Sequence, residues 1–295
     1  MENDGKWKVA GVDSPEYPPV LAKSRYAVKE LWISGEPDFK NEFFLAMVGT
    51  RSPSGLALNS VKNIVRALKG QSVRIISGLA QGIDSFCHEA AIENNLPTTA
   101  VIAQGLDCPL QGSQKVLADK ILKHGGNIIT PFAPGTRAFL SSFVKRNTII
   151  SGMSNAAMIV ESRLKGGAMH TAKFCLKEGK LLLAVPGNPL CETSKGCNWL
   201  IHQKQAQTIW SMEELPEALG MNSLFPYTPY PIPHTLKNLN SQSPTLPNWA
   251  AKGTMLQIGE ICEQSQKPVN EVLATITELE MRGMCSVRNG SVVFF

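Results

Sequence analysis

The sequence predicts an α/β fold: an extended Rossmann-like, doubly wound parallel sheet followed by a small C-terminal winged-helix domain. Two observations support this. Apolar runs of four to six residues alternate with helical patterns between residues 43 and 204, which is typical of a parallel sheet covered by helices on both faces. Near the end of the chain, two short apolar runs flank Asn289-Gly290, a strong signal for a β-hairpin.

The first part of the chain divides into a lead-in, residues 1–40, and a Rossmann-like domain, residues 41–220. We expect the lead-in to pack on the body and to contribute an edge strand at Glu30-Leu31-Trp32-Ile33. Ser52 can cap the first helix of the body, because Pro53 suits a first helical position. The predicted strands are 43–48, 73–76, 98–103, 127–130, 156–160 and 181–185, and the predicted helices are 54–69, 82–94, 113–124, 144–153, 167–177 and 196–204.

The remainder is a proline-rich linker, residues 221–233, and the predicted winged-helix domain, residues 234–295. Its predicted helices are 235–239, 256–262 and 269–281, and its strands are 285–287 and 292–294. In a winged helix the third helix usually enters a DNA groove. Here that helix carries three glutamates against Arg282 alone, the wrong sign for contact with phosphates. This pattern favours a protein-contact or regulatory role for the tail.

Composition and charge narrow the class of protein. The net charge is +5, and residues 234–295 contain five basic and five acidic side chains, so the whole excess lies in residues 1–233. A basic α/β body is compatible with an acidic partner such as nucleic acid. The seven cysteines include no C-x-x-C pair, which argues against disulfides and a zinc site. With no apolar run of membrane length and no visible signal peptide, we expect a cytoplasmic protein. Separately, we expect no cofactor.

Four predicted strands end in glycine-bearing loops. Gly49 follows the first, Gly78 and Gly82 the second, Gly166-Gly167 the third and Gly187 the fourth. Parallel strands joined by right-handed crossovers bring such loops to one edge of the sheet. Exposed backbone N–H groups and helix N-termini there suit phosphate groups.

The side chains in and near these loops indicate a site that binds phosphate groups or nucleic acid. Arg51 can pair with a phosphate, and Phe143 near Lys145 and Arg146 fits single-stranded nucleic acid, where cations meet phosphates and rings stack on bases. Asp84 and His88 lie one helical turn apart and are the one candidate acid–base pair, although a histidine at that spacing more often bonds a neighbour. The common nucleotide-binding, hydrolase and metalloprotease motifs are absent from the sequence, which favours binding over catalysis.

The order of motifs resembles the DNA-processing protein family DprA, also called Smf. The resemblance rests on a series of segments that spans nearly the whole chain: Pro15-Glu16-Tyr17-Pro18-Pro19, Gly49-Thr50-Arg51, Ile76–Asp84 with His88, Ala103–Asp107, Phe143-x-x-Arg146-Asn147-x-Ile149-Ile150-Ser151-Gly152, Val160-Glu161, Ala184–Gly187 and Gly196-x-Asn198-x-Leu200-Ile201. The chain departs from the family pattern at Cys108 and at Lys165. Lys165 adds a cation at the expected rim of the site.

The resemblance implies a homodimer that binds single-stranded DNA without sequence preference, protects incoming strands and loads the RecA recombinase during natural transformation. It implies no catalytic residue and no metal. We expect the DNA site to comprise Arg51, Ser52, Gly78, Gln81, Gly82, Phe143, Lys145, Arg146, Asn147, Gly166, Gly167, Thr171 and Lys173.

Two alternative functions stay open. The protein could sense a small nucleotide-derived ligand, with the tail as an output module. It could instead be a nucleotide phosphoribohydrolase, a class of related Rossmann proteins whose P-G-G-x-G-T-x-x-E loop carries an essential glutamate. Here Thr171 is followed three residues later by Phe174, so the acid that such an enzyme needs is missing.

Overall fold

The computed structural model describes residues 7–39, 42–221, 254–269, 271–272, 275–276, 279, 285–288 and 291–294. The chain divides into two compact units, Met1–Tyr230 and Pro231–Phe295. The elements of the first unit are β1 (Lys8–Gly11), α1 (Pro19–Ala22), β2 (Glu30–Ser34), β3 (Phe43–Val48), α2 (Gly55–Ala67), β4 (Val73–Ser77), α3 (Ile83–Glu93), β5 (Thr98–Val101), α4 (Gly112–Lys123), β6 (Asn127–Thr130), α5 (Leu140–Met153), β7 (Ala156–Ile159), α6 (Ala168–Lys177), β8 (Leu181–Ala184), a 3-10 turn (Glu192–Ser194), α7 (Lys195–His202), β9 (Gln207–Thr208) and α8 (Leu215–Ala218).

The first unit is built on one nine-stranded sheet in the order β1-β2-β6-β5-β4-β3-β7-β8-β9. Strands β3 to β9 are all parallel, whereas β2 pairs antiparallel with β6 and β1 pairs antiparallel with β2. This confirms the predicted α/β fold with a large, mostly parallel sheet.

The lead-in differs from the prediction. We expected Glu30 to Ile33 to form an edge strand, but β1 covers it, so the edge of the sheet is Lys8–Gly11. Tyr17 helps to hold the segment, because its hydroxyl donates to the carbonyl of Val28 at 2.9 Å. The short strand β1 has no clear alternation of apolar and polar residues, which is why the sequence pattern did not reveal it.

The sheet is covered on both faces, which explains its unbroken apolar strands. Along β3, Ala46 and Val48 face a core shared with α1, α5, α6 and α7. Leu45 and Met47 face the opposite core, which α2, α3 and α8 complete. The helix after β3 and the helix after β7 therefore lie on opposite faces, although β3 and β7 are neighbours. A crevice opens between their carboxyl ends, at the topological switch point where α/β proteins bind ligands.

The capping residue of α2 and the first residue of α5 differ from the prediction. Ser54, rather than Ser52, caps α2, since its hydroxyl accepts a hydrogen bond from the N–H of Ala57 at 3.2 Å. Helix α5 begins at Leu140, four residues before the predicted start. Phe143 is consequently a helical residue, held on a rigid element beside the crevice.

The second unit contains β10 (Met255–Gln257), α9 (Ile258–Ser265), β11 (Cys285–Arg288) and β12 (Ser291–Phe294). The predicted hairpin strands are confirmed, because β11 and β12 pair antiparallel, and β10 adds a third strand beside β12. The predicted helix 256–262 instead starts at Ile258, after β10. The predicted helix 235–239, the linker beyond residue 221, Asn289-Gly290 and much of 269–281 lie outside the described residues. The winged-helix domain therefore stays a prediction.

A buried arginine crosslinks the amino ends of the strands, opposite the crevice. Arg74 of β4 forms an ion pair with Glu42, with 2.5 Å between its Nε and the carboxylate. It also donates to the side chain of Asn127 at 2.8 Å and to the carbonyl of Asp38 at 2.9 Å. These acceptors offset the free-energy cost of burying the Arg74 charge. Removing Arg74 would leave the Glu42 carboxylate without its partner.

We expect Arg74→Ala to lower the free energy of unfolding by about 3–5 kcal/mol, the usual loss when one partner of a buried ion pair is removed. The matched control is Lys8→Ala, since Lys8 pairs with Glu36 on an exposed surface and should lose at most about 1 kcal/mol. Urea unfolding followed by circular dichroism measures both changes, and equal losses would contradict this account.

Candidate nucleic-acid interface

A cavity of about 240 Å³ lies at the switch point between β3 and β7. Three of the four predicted glycine loops and helix α5 surround it, and the loop around Gly187 does not reach it. The lining residues are Val48, Gly49, Thr50, Arg51, Ala80, Asp84, Phe143, Arg146, Asn147, Ser162, Arg163, Gly166, Gly167, Ala168 and Thr171. The predicted convergence of distant loops is therefore observed for three loops.

The structure brings seven of the thirteen predicted site residues into the cavity wall: Arg51, Phe143, Arg146, Asn147, Gly166, Gly167 and Thr171. Ser52, Gln81 and Lys173 are exposed and lie outside it. Lys145 is also outside, because its ammonium group lies over the ring of Phe132 at 5.3 Å.

The other two predicted residues, Gly78 and Gly82, support the wall from behind. A Cβ at Gly78 would collide with the guanidinium of Arg146. Gly82 has a φ of 90°, and a Cβ there would meet the backbone of Thr50 and Arg51. Both glycines permit close approach of neighbouring chain segments, so their role in the site is indirect.

The aromatic ring of Phe143 makes cation–π contacts with two arginines. The guanidinium carbons of Arg51 and Arg146 are 5.7 and 5.8 Å from the ring centroid. Arg51 is exposed, and no ion pair involves it among the described residues. Cation–π attraction to one ring helps to hold these two like charges near each other.

Arg146 is almost completely buried, with an exposed fraction of 5%. Its Nη1 donates to the carbonyl of Val101 at 3.2 Å and lies 3.9 Å from a carboxylate oxygen of Asp84. Its Nε is buried and has no hydrogen-bond partner within the described part of the chain. Burial lowers the pKa of Arg146, Asp84 opposes that shift, and Arg51 adds to it.

Asp84 ties the first two loops together. Its carboxylate accepts hydrogen bonds from the backbone N–H of Gly49 at 3.4 Å and of Gly78 at 3.1 Å. Burial raises its pKa, against the effects of Arg146 and the backbone donors. Glu161, just after β7, is also buried, and its carboxylate accepts from the N–H of Ser54 at 2.8 Å.

These carboxylates revise the prediction about backbone donors. The N–H groups of Gly49, Gly78 and Ser54 already have acceptors inside the protein, so they are not available to a phosphate. At the start of α6, by contrast, no described residue accepts from the N–H of Gly167 or Ala168. The N-terminus of α6 therefore presents donors to the cavity.

The candidate acid–base pair is not formed. The Nδ1 of His88 lies 2.7 Å from the hydroxyl of Thr98, which itself donates to the carbonyl of Ile75 at 2.9 Å. His88 therefore donates through Nδ1–H, and its Nε2 is buried with no hydrogen-bond partner among the residues that the structure describes. Burial, with a smaller effect of Arg146, lowers the pKa of His88 to about 3. This histidine is a neutral core residue.

Sequence reasoning missed Arg163, which lines the cavity with Ser162 and Thr50. The signal was present, since Arg163 precedes Gly166 by three residues, but the sequence drew attention to Lys165 instead. Lys165 is exposed and does not line the cavity.

Among the described residues, no group of three or more His, Cys, Asp or Glu side chains is placed to hold a metal ion. No helix in the same residues has the length and apolar character needed to cross a membrane.

The fold and the site define a Rossmann-like protein with a cationic cavity at the switch point of its sheet. Residues 8–220 match the family model described as DNA recombination-mediator protein A. The chain belongs to this family, which is the family that the sequence motifs resemble.

Individual relatives agree with this assignment. The chain is 30% identical over 297 residues to Protein Smf of Escherichia coli, covering 95% of this chain and 75% of that protein. It spans 44% of the length of a Mycobacterium tuberculosis relative.

Two solved structures are similar. The X-ray structure of DNA processing protein A from Streptococcus pneumoniae has a TM-score of 0.67 and 30% identity, and the match covers 72% of this chain and 74% of that one. The DNA processing protein A of Helicobacter pylori, whose structure concerns its single-stranded DNA binding mode, has a TM-score of 0.64 and 24% identity, and the match covers 72% and 96%. At that identity the second match shows the fold alone.

The buried histidine predicts a pH dependence of stability. Because the pKa of His88 is about 3 in the folded state and 6.5 when exposed, only the unfolded state binds this proton between those values. Stability is then lost as the pH falls from 6.5 towards 3, by up to about 1.4 kcal/mol per pH unit. Unfolding of His88→Leu should depend less on pH in this range. The exposed His202→Gln serves as the control, and identical slopes for all three proteins would exclude this role.

Proposed function

We propose that this protein binds single-stranded DNA without sequence preference, at the cavity between β3 and β7, as part of DNA processing in recombination. The observation that carries the proposal is the cluster of Arg51, Arg146 and Arg163 around one small cavity. Clustered arginines suit phosphate, which is present at every nucleotide and carries no sequence information.

The geometry supports different roles for the exposed and the buried arginines. Arg51 and Arg163 are exposed and can reach a phosphate, and the N–H groups of Gly167 and Ala168 offer further donors. Arg146 is buried and already bonded, so it contributes positive charge to the cavity wall, and its cation–π contact helps to hold Phe143 in place. The half-exposed ring of Phe143 offers a face on which a base can stack.

The same contacts favour binding without catalysis. His88 is fully buried, Asp84 is engaged by backbone donors and Arg146, and the Glu161 carboxylate is bonded inside the protein. The position that a phosphoribohydrolase would fill with glutamate is Phe174, whose ring packs edge-on against Tyr26 at 5.4 Å. No carboxylate at that position is available for a reaction at a ribose.

We further propose the finer role that the family resemblance implies: protection of incoming strands and loading of RecA by a homodimer, in the cytoplasm, during natural transformation. In this proposal residues 41–220 form the DNA-binding domain, on which the lead-in 1–40 packs, residues 221–233 form a linker and residues 234–295 a winged-helix domain. The balanced charge of that last segment supports contact with protein rather than with DNA.

A nucleotide sensor is the alternative, and cavity size weighs against it. About 240 Å³ is less than the roughly 300–1,000 Å³ usual for small-molecule pockets. A sensor would bind a mononucleotide saturably with little salt dependence, whereas a strand binder gains affinity with strand length and loses it with salt.

Replacing Arg51 or Arg163 by alanine should weaken binding of labelled oligo-dT. Each loss removes one charge-assisted contact of about 1–3 kcal/mol, roughly 5- to 150-fold in Kd. The slope of log Kd against log salt should also fall by about 0.7 per lost phosphate contact.

The matched control is Arg66→Ala, which removes an exposed arginine of α2 outside the cavity. Fluorescence anisotropy at several salt concentrations gives both quantities. Equal effects of the three variants, in proteins that melt at the same temperature, would rule out this site.

Deletion of residues 234–295 should change the affinity for oligo-dT by less than about tenfold, because the tail adds no net positive charge. The first unit contains both large cores of the sheet, so we expect it to fold alone. A greater loss in a folded deletion variant would assign DNA contacts to the tail.

A further inference from the structure

The segment that carries Arg51 is held at both ends by one residue. The backbone N–H of Thr50 donates to the carbonyl of Glu161 at 2.7 Å. Three residues beyond Arg51, the N–H of Ser54 donates to the Glu161 carboxylate at 2.8 Å. Residues 50–54 therefore form a short arch whose two ends are bonded to Glu161.

The second carboxylate oxygen of Glu161 is bonded to a different loop. The hydroxyl of Thr193, in the 3-10 turn before α7, donates to it at 2.6 Å. Glu161 thus joins the loop after β3 to the loop after β8, while its own backbone continues into the loop after β7. It is the residue at which three loops of this sheet edge meet.

Glu161 does not line the cavity, and its exposed fraction is 4%. A buried carboxylate is costly unless it is well hydrogen-bonded. Here both oxygens accept hydrogen bonds, and Ser54 is the N-cap of α2, so the negative charge also lies at the positive end of that helix. These contacts stabilise the negative charge of Glu161 at a position next to the cavity but outside its wall.

We propose that Glu161 is a positioning residue for the DNA site: it orients the 50–54 arch so that Arg51 faces the cavity. The inference rests on the proposed function, since it assumes that Arg51 contacts a phosphate. The carboxylate acts through the arch and makes no contact with the strand.

Two substitutions separate geometry from charge. In Glu161→Gln, the amide oxygen can accept from the Ser54 N–H and the amide N–H can donate to the Thr193 hydroxyl, so both links can be kept without the charge. In Glu161→Ala neither link remains. If the negative charge itself mattered by repelling phosphates, both variants would bind DNA more tightly than the wild type.

The control for a general loss of loop order is Asp107→Ala. The Asp107 carboxylate accepts from the N–H of Gly135 at 2.8 and 2.7 Å, so it also joins two loops, but outside the cavity. It should leave DNA affinity unchanged.

The experiment is a double-mutant cycle in the full chain, read as the Kd for labelled oligo-dT by fluorescence anisotropy. We expect Glu161→Ala to raise Kd by roughly 3- to 10-fold, part of the Arg51→Ala effect, and Glu161→Gln to stay within about twofold of the wild type. In an Arg51→Ala background, Glu161→Ala should add less than about twofold, because the residue that it positions is gone.

Each outcome is decisive. An unchanged Kd for Arg51→Ala overturns the proposed site itself. If Arg51→Ala weakens binding, then an additive effect of Glu161→Ala, or a Gln variant as weak as the Ala variant, overturns the positioning role alone. If Glu161→Ala does not fold, Ser54→Pro replaces it in the cycle, because proline lacks the N–H that bonds the carboxylate and suits the φ of −73° at this position. Ser54→Ala, which removes only the capping hydroxyl, is its control: a loss in Ser54→Pro alone that disappears without Arg51 supports the proposal, and equal Kd values for the two variants overturn it.

Discussion

The backbone donors at the carboxyl edge of a parallel sheet need acceptors, and in this protein two buried carboxylates supply many of them. Asp84 accepts from Gly49 and Gly78, and Glu161 accepts from Ser54. Buried N–H groups without partners are costly, so these bonds let glycine loops pack closely without a ligand. They also decide which donors are left for a phosphate, and those at the N-terminus of α6 are among them.

The positive charge of the site comes from both buried and exposed arginines. Arg146 is a buried part of the cavity wall, fixed by Val101 and Asp84, and Arg51 is an exposed part of the same wall. Phe143 makes a cation–π contact with each of them. A buried charge that cannot move raises the local potential, while an exposed arginine can adapt to the irregular path of a single strand. The arrangement suits a ligand with repeated phosphates and varied bases.

Much of this could be predicted from the sequence, and the reasons are local. Strand 43–48 was predicted at its observed bounds, since six consecutive apolar residues suit a strand buried on both faces. The meeting of loops at one edge followed from the handedness of parallel connections. Local pattern failed at the start of α2, where Ser52 and Ser54 are equally good caps by residue type and only the bond to Ala57 distinguishes them. It also failed at β1, which gains its place by pairing with β2 rather than from its own residues.

The sequence alone determined the fold class of the body, its family and the types of residue that gather at the switch point. The tertiary structure decided which of those residues reach the cavity: Arg163 does, and Lys165 and Lys173 do not. It also decided that Asp84 and His88, four residues apart, have different roles: Asp84 bonds the backbone of two loops, whereas His88 bonds Thr98 in the core. The physical reason is that periodicity and residue type report an element and its buried face, whereas access to a ligand depends on which hydrogen-bond partners the rest of the chain has already supplied.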